Sequence, residues 1–235
     1  MRREIAGEWL WMHPRFLTDP LDVETSVLER FRDLIRPGAT VLDVGGYVGL
    51  HAIYAAKLAG SGGRVFSFEP SPANFPYLDY HCRKNAPKNA EACPLLVADQ
   101  PGRRIPFHLL NDGDSSSNSM TFSQLAEGRE LGAPTRTIEV ESTTLDAFCT
   151  ARGVRPDFIK IDVEGAEMQV LLGARRVLRE CRPRIILALH PAWLPAGTSA
   201  ADVRALIESE GYAWLTLDGL EAKELELAEY FCRPL

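Results

Sequence analysis

Two kinds of pattern alternate along the chain. Short apolar runs that end on or beside a polar residue predict strands: "TVLDV" (40–44), "RVFSF" (64–68), "CPLLVAD" (93–99), "DFIKID" (157–162) and "RIILALH" (184–190). Their near-continuous apolar character is that of parallel strands covered on both faces. Between them apolar residues recur at helical spacing. Val23, Val27, Leu28, Phe31, Leu34 and Ile35 share one face of "DVETSVLERFRDLI", with Asp22 as N-cap and Pro37-Gly38 as the stop. Leu50, Ile53, Tyr54 and Leu58 form a second such face before Gly60. A third helix is expected over 72–85, and a fourth carries Met168, Leu171, Leu172 and Val177. "RIPFHLL" (104–110) and "TIEVES" (137–142) alternate with period two and predict an antiparallel insertion around the serine-rich loop "NDGDSSSNS" (111–119). "SAADVRALIESEG" reads as a helix opened by Ser199 and closed by Gly211. "YAWLTLDG" and "AEYFCRPL" read as a final hairpin with a turn at Asp218-Gly219.

The order is one helix, five strand–helix units and a terminal antiparallel pair. It predicts a single α/β domain over 1–235 with a doubly wound, mostly parallel sheet and an antiparallel C-terminal strand. Residues 1–36 are expected as an N-terminal helical segment and 103–143 as a β-insertion. Open sheets of this kind bind ligands beyond the carboxyl ends of the strands, near the point where strand order reverses. Asp43, Glu69, Asp99, Asp162 and His190 all fall at such ends.

Composition narrows the ligand. A net charge of −6 gives no basic footprint, which argues against nucleic acid as a partner. No apolar run approaches the ~18 residues needed to span a bilayer, and the N-terminus lacks the apolar stretch of a secretory signal. The 5 cysteines are scattered and form no CxxC, so they read as reduced thiols of a cytoplasmic protein and not as a zinc site.

The turn after the first strand, "VLDVGGYVGLHA", has Gly45, Tyr47 and Leu50 where the dinucleotide fingerprint needs three glycines. No Gly-Lys-Ser/Thr follows, so a P-loop is also excluded. An acid followed by glycines suits a ligand with a positive amine or sulfonium better than a pyrophosphate. Glu69 is placed to accept ribose hydroxyls and Asp99 an adenine amine. Amine, ribose and adenine together describe S-adenosylmethionine. "VLDVGGYVGLHA", "FSFEPSPANFPYLDYHCRKN", "TTLDAF" and "PDFIKIDVEGAEMQVLLGA" resemble successive motifs of the FkbM-type S-adenosylmethionine-dependent methyltransferases, over about residues 35–190. The resemblance implies a class I methyltransferase fold and O-methylation of a sugar, natural product or related hydroxyl compound. It carries cofactor binding to Asp43, Gly45, Gly49, Glu69 and Asp99. Gly46 and Pro70, beside two of these, join the candidate set, as does Ser116 of the serine-rich loop. The family more often has Ala-Asn at the positions of Gly46-Tyr47.

Methyl transfer asks the protein to align a nucleophile and take its proton. Asp162, Glu164 and His190 are the candidates at the acceptor end, with His190 as general base. The same three side chains could instead hold a divalent cation that acidifies the acceptor hydroxyl. Glu167 reads as a helix N-terminal charge, and His51 and His81 as surface or packing residues. Trp193, in "PAWLPAG", is a candidate acceptor contact, while Trp9, Trp11 and Phe16 read as packing. Two other classes share such a sheet. A nicotinamide-dependent oxidoreductase is disfavoured by Tyr47 and Leu50, and a non-catalytic adenosyl-binding protein by the set of acids at the strand tips.

Overall fold

The computed structural model describes residues 1–16, 25–86, 88–110, 115–121 and 136–235. The chain opens with a hairpin of β1 (Arg2–Ile5) and β2 (Glu8–Trp11), followed by α1 (Thr25–Leu34). Then come β3 (Thr40–Val44), α2 (Leu50–Ala59), β4 (Arg64–Phe68), α3 (Phe75–Asn85) and β5 (Ala90–Cys93). The insertion is made of β6 (Leu96–Val97), β7 (Arg104–Leu109) and β8 (Arg136–Thr143), and leads into α4 (Leu145–Arg152). The second half contains β9 (Phe158–Ile161), α5 (Glu167–Leu172), α6 (Arg175–Cys181), β10 (Arg184–Leu189), α7 (Ala200–Ser209), β11 (Tyr212–Thr216) and β12 (Ala228–Pro234).

Seven strands form the main sheet in the order β11-β12-β10-β9-β3-β4-β5. Five are parallel, and β12 and β11 close the edge antiparallel, as the terminal hairpin predicts. The chain runs outward from β3 to β5 and then returns to β9 on the other flank of β3. The order therefore reverses between β3 and β9, where Val44 pairs with Ile161. One face is covered by α1–α3, with Val27, Leu28, Phe31 and Ile53 buried against Val41, Phe158 and Ile186. The other is covered by α4–α7, through Val170, Leu171, Val177, Leu178, Val203 and Ile207. Ser199 caps α7 with a reciprocal box to Asp202.

Three expectations are corrected. The N-terminal segment is not helical throughout: Ala6 and Gly7 take positive φ and turn a two-residue hairpin. That hairpin buries Ile5 and Leu10 and leaves Trp9 57% and Trp11 41% exposed, so of the three expected packing aromatics only Phe16 is buried. The third parallel strand is Ala90–Cys93, not 93–99. Pro94, which has no N–H to donate, ends it, and Leu96–Val97 pairs instead with β8 in a separate three-stranded sheet. The single helix expected before β10 is two, α5 and α6, broken at Gly173-Ala174. A Cβ at Gly173 would overlap the Ala98 carbonyl. Asp22 and Val23 of the first predicted helix, and 111–114 of the serine-rich loop, lie outside the described residues. Among the described residues no helix is long and apolar enough to cross a membrane.

Candidate active site

A cavity of about 550 Å³ opens over the carboxyl ends of β3, β4, β9 and β10, at the switch point. Its β3–β4 half is lined by Gly45, Gly46, Tyr47, Val48, Phe68, Glu69 and Pro70, and walled by Leu95, Leu96, Val97, Phe107 and Met120. Glu69 is 5% exposed. Its Oε2 accepts from the Tyr47 N–H at 2.9 Å and its Oε1 from the Ser71 N–H at 2.8 Å. Burial pushes the Glu69 carboxyl up to about 7, a rise that these two N–H donors restrain. The carboxylate thus braces the glycine turn while facing the cavity.

The glycines serve the turn in a different way from the one expected. A Cβ on Gly45 would overlap the Asp162 carbonyl oxygen, and one on Gly46 the Ser67 hydroxyl. Their absent side chains let the turn lie directly on β9 and β4, and Gly45 also needs its positive φ. Gly49, at φ 90°, packs against Leu78 and does not line the cavity. Asp43 is not at a tip: it sits inside β3, 1% exposed, and its Oδ2 accepts from the Ser67 hydroxyl at 2.6 Å. Its Oδ1 is buried with no hydrogen-bond partner among the described residues. Asp99 follows β6 out of the main sheet and does not line the cavity, whereas Ser116 does.

The β9–β10 half gathers five titratable side chains. Lys160, 1% exposed, lies in β9, and its ammonium donates to Asp162 Oδ2 at 2.7 Å. His190, just past β10, stands 3.9 Å from Asp162 Oδ1 and 3.4 Å from Glu164 Oε2 through its Nε2. Its Nδ1 donates to Glu167 Oε1 at 2.7 Å, and the same oxygen accepts from the Gly165 N–H at 3.0 Å. Trp193 stacks on the imidazole, with ring centroids 4.9 Å apart; it supports His190 and does not line the cavity. Glu164 has φ 55°, a strained conformation for a side-chain-bearing residue, and Gly165 follows at φ 97°. This double left-handed turn turns Glu164 into the cavity, where its Oε2 is buried without a hydrogen-bond partner among the described residues.

Each charge follows from its surroundings. Burial pushes Glu164 up to about 8, against the pull of His190. Burial would also raise Asp162, but Lys160 and His190 outweigh it and hold the group below the usual carboxylate range. Burial would lower His190, yet the Glu167 hydrogen bond and the nearby Glu164 and Asp162 raise it to about 9. Single ligand atoms of Asp162, Glu164 and His190 lie within 4.8 Å of one another.

The structure brings Glu69, Gly45, Gly46, Pro70, Ser116, Asp162, Glu164 and His190 together and leaves out Asp43, Gly49 and Asp99. Lys160, Tyr47 and His51, assigned to no site from the sequence, also line the cavity. Glu167, expected as a helix-end charge, is fully buried as the partner of His190. A polar residue inside the apolar strand "FIKID" is the one sequence signal that marks Lys160. His81 is buried packing, its Nδ1 2.6 Å from the Val48 carbonyl oxygen.

A family model described as the methyltransferase FkbM domain matches residues 43–213. Among curated proteins, the chain is 29% identical over 174 residues to 2-O-methyltransferase NoeI of Sinorhizobium fredii, covering 67% of this chain and 68% of that protein. It is 28% identical over 167 residues to hexuronic acid methyltransferase AglP of Haloferax volcanii, covering 70% and 59%. Among solved structures, methyltransferase FkbM of Methylobacillus flagellatus superposes with a TM-score of 0.54 at 18% identity, over 93% of this chain and 56% of that one. A precorrin-6y C5,15-methyltransferase of Geobacter metallireducens superposes with a TM-score of 0.51 at 12% identity, over 96% and 94%. The chain therefore spans less than two thirds of AglP and of the FkbM structure.

Proposed function

The chain belongs to the FkbM methyltransferase family and has the class I methyltransferase fold; from that premise we propose that it moves a methyl group from S-adenosylmethionine to a hydroxyl of a sugar or related small molecule. The name of NoeI supports transfer to oxygen, and that of AglP a sugar-acid acceptor. The observation that carries the reading is a buried carboxylate oxygen on Glu164 that has no hydrogen-bond partner among the described residues and faces the same cavity as the glycine turn and Glu69.

The residues fit the cofactor. Glu69, already braced by two N–H donors, keeps lone pairs for ribose hydroxyls, the Phe68–Leu95–Val97 wall offers an apolar slot to a base, and the Gly45–Val48 backbone reaches the methionine end. When bound, S-adenosylmethionine supplies a sulfonium-activated methyl group for in-line displacement. The chain's own part is to orient the acceptor and hold its proton. Asp162, kept ionised by Lys160, accepts from a hydroxyl neighbouring the reacting one and so orients the acceptor. Glu164 takes the proton, since a carboxylate with a pKa near 8 is, once ionised, a far stronger base than an ordinary one. His190, raised to about 9, is a cation at neutral pH. This moves the base role expected of it to Glu164 and leaves it to support the ionised Glu164.

A divalent cation on Asp162, Glu164 and His190 is the second reading, favoured by the clustering of their ligand atoms. The Lys160 ammonium on Asp162 disfavours it, because it would lie beside a second cation. The test is calorimetry with S-adenosylhomocysteine and with NAD, followed by methyl transfer over a panel of methyl hexosides and hexuronates with and without EDTA. Binding of S-adenosylhomocysteine alone, weakened about tenfold or more by E69Q, and a rate indifferent to EDTA are expected. Binding of NAD alone would overturn the cofactor assignment, and loss of rate in EDTA restored by magnesium would establish the metal mechanism.

A further inference from the structure

The serine-rich loop is a sequence motif that the proposed chemistry leaves without a role. Its described part, 115–119, continues to Thr121 as a roof of the cavity, with Ser116, Asn118 and Met120 among the lining residues. One end is tied to the cofactor half, where Asn74 Nδ2 donates to the Ser115 carbonyl at 2.9 Å. Asn74 also helps to hold down the raised Glu69 carboxyl. The other end is tied to the acceptor half. The Ser119 and Thr121 hydroxyl oxygens lie 2.8 and 3.1 Å from the Glu164 carbonyl oxygen and 2.9 Å from each other, so they hold that carbonyl as a hydrogen-bonded pair. Ser119 is itself fixed by a two-way backbone bridge to His108 of β7, with N···O distances of 2.8 and 3.2 Å.

The two hydroxyls gather on a single backbone carbonyl, and a carbonyl gripped by such a pair is fixed in direction. It belongs to the residue whose φ is 55°, so the peptide after Glu164 is the hinge on which its side chain is aimed. Gly165 leaves room for the contact: a Cβ there would stand 2.8 Å from the Thr121 hydroxyl oxygen and overlap the Trp193 carbonyl. We infer that Ser119 and Thr121 are positioning residues of the methyl-transfer site, holding the strained Glu164 turn so that its carboxylate faces the reacting methyl position. The roof segment thereby joins the cofactor acid Glu69 to the acceptor acid Glu164.

This inference rests on the S-adenosylmethionine reading, and its test needs no acceptor. Sinefungin, the cofactor analogue with an ammonium in place of the methylsulfonium, places a cation where Glu164 should point. S-adenosylhomocysteine has nothing at that position. In the intact protein, calorimetry is expected to give sinefungin an advantage of about tenfold or more over S-adenosylhomocysteine. S119A and T121V should each keep S-adenosylhomocysteine affinity within about twofold and lose most of the advantage, while T121S, which keeps the hydroxyl, should retain it. In an E164Q background, where the carboxylate is already gone, neither substitution should have a further effect on the ratio. An unchanged ratio in S119A and T121V, no advantage in the wild type, or an equal loss in the E164Q background would each overturn the positioning role. Failure of the wild type to bind S-adenosylhomocysteine at all would instead overturn the cofactor reading on which it rests.

Discussion

Glu164 shows how one residue gathers its chemistry from neighbours distant in the chain. Its backbone is bent into the left-handed region, its carboxyl is buried, and the cation that stabilises its charge comes from His190 on the next strand. The rate of methyl transfer is expected to rise with pH and level off near 8, following ionisation of this group. E164Q should remove that limb and lower kcat by ~10²–10⁴ while leaving S-adenosylhomocysteine affinity close to the wild type. A pH–rate profile of E164Q that retains the limb would place the base elsewhere. The motif "IDVEGAE" made Asp162 and Glu164 legible as candidates in the sequence. Glu167 was not legible, because its meaning lies in a hydrogen bond to His190, 23 residues onward. Asp43 is ambiguous in the sequence for the opposite reason. An acid near a strand end looks the same whether it faces a ligand or, as here, a serine hydroxyl on the neighbouring strand.

At the scale of elements, α1, α2, α3, α7, the two long strands of the insertion and the final hairpin were readable because periodicity reports burial directly, whereas α4 was not singled out and α5 and α6 read as one helix. The third parallel strand was not. "CPLLVAD" is longer and more apolar than "AEAC", but the parallel register beside β4 selects the shorter run, and Pro94 ends it. Asp99 lost its place with that strand. The glycine turn was found at its true position, although the reason for its glycines became visible only with the facing strand in place. That reason is testable. Gly45→Ala would drive a methyl into the Asp162 carbonyl at positive φ and should cost several kcal/mol, on the order of 3 or more, or prevent folding. Gly60→Ala also adopts positive φ but meets nothing within 4 Å, so it should cost only about 1 kcal/mol. Urea denaturation of the two variants makes the comparison. Equal, small losses would mean that the turn does not rest on β9 as described.

For the molecule as a whole, the site is a concentration of buried charge that folding must tolerate until ligands arrive. The sign of its effect on stability follows from three groups. Glu69, at about 7, and Glu164, at about 8, both lie above their ordinary value of 4.5. His190, at about 9, lies above its ordinary 6.5. Each binds more protons in the folded chain than in the unfolded one between its two values, so stability declines as pH rises from about 4.5 to 9. Asp162 has the opposite sign, but its contribution is lost only on acidification below the ordinary carboxylate range. Free protein should therefore melt at its highest temperature near pH 5 and lose on the order of a few kcal/mol by pH 8.5. A cationic cofactor reverses part of this, because a sulfonium beside the carboxyl groups favours the ionised forms that folding alone disfavours. The stabilisation by saturating S-adenosylmethionine should accordingly grow with pH, and grow more than that by S-adenosylhomocysteine, which lacks the sulfonium charge. Thermal melts at pH 5.5, 7 and 8.5, free and with each ligand, test both slopes. A melting temperature of the free protein that rises across this range would mean that the buried carboxyl groups ionise without cost, and that the field assigned to the site is wrong.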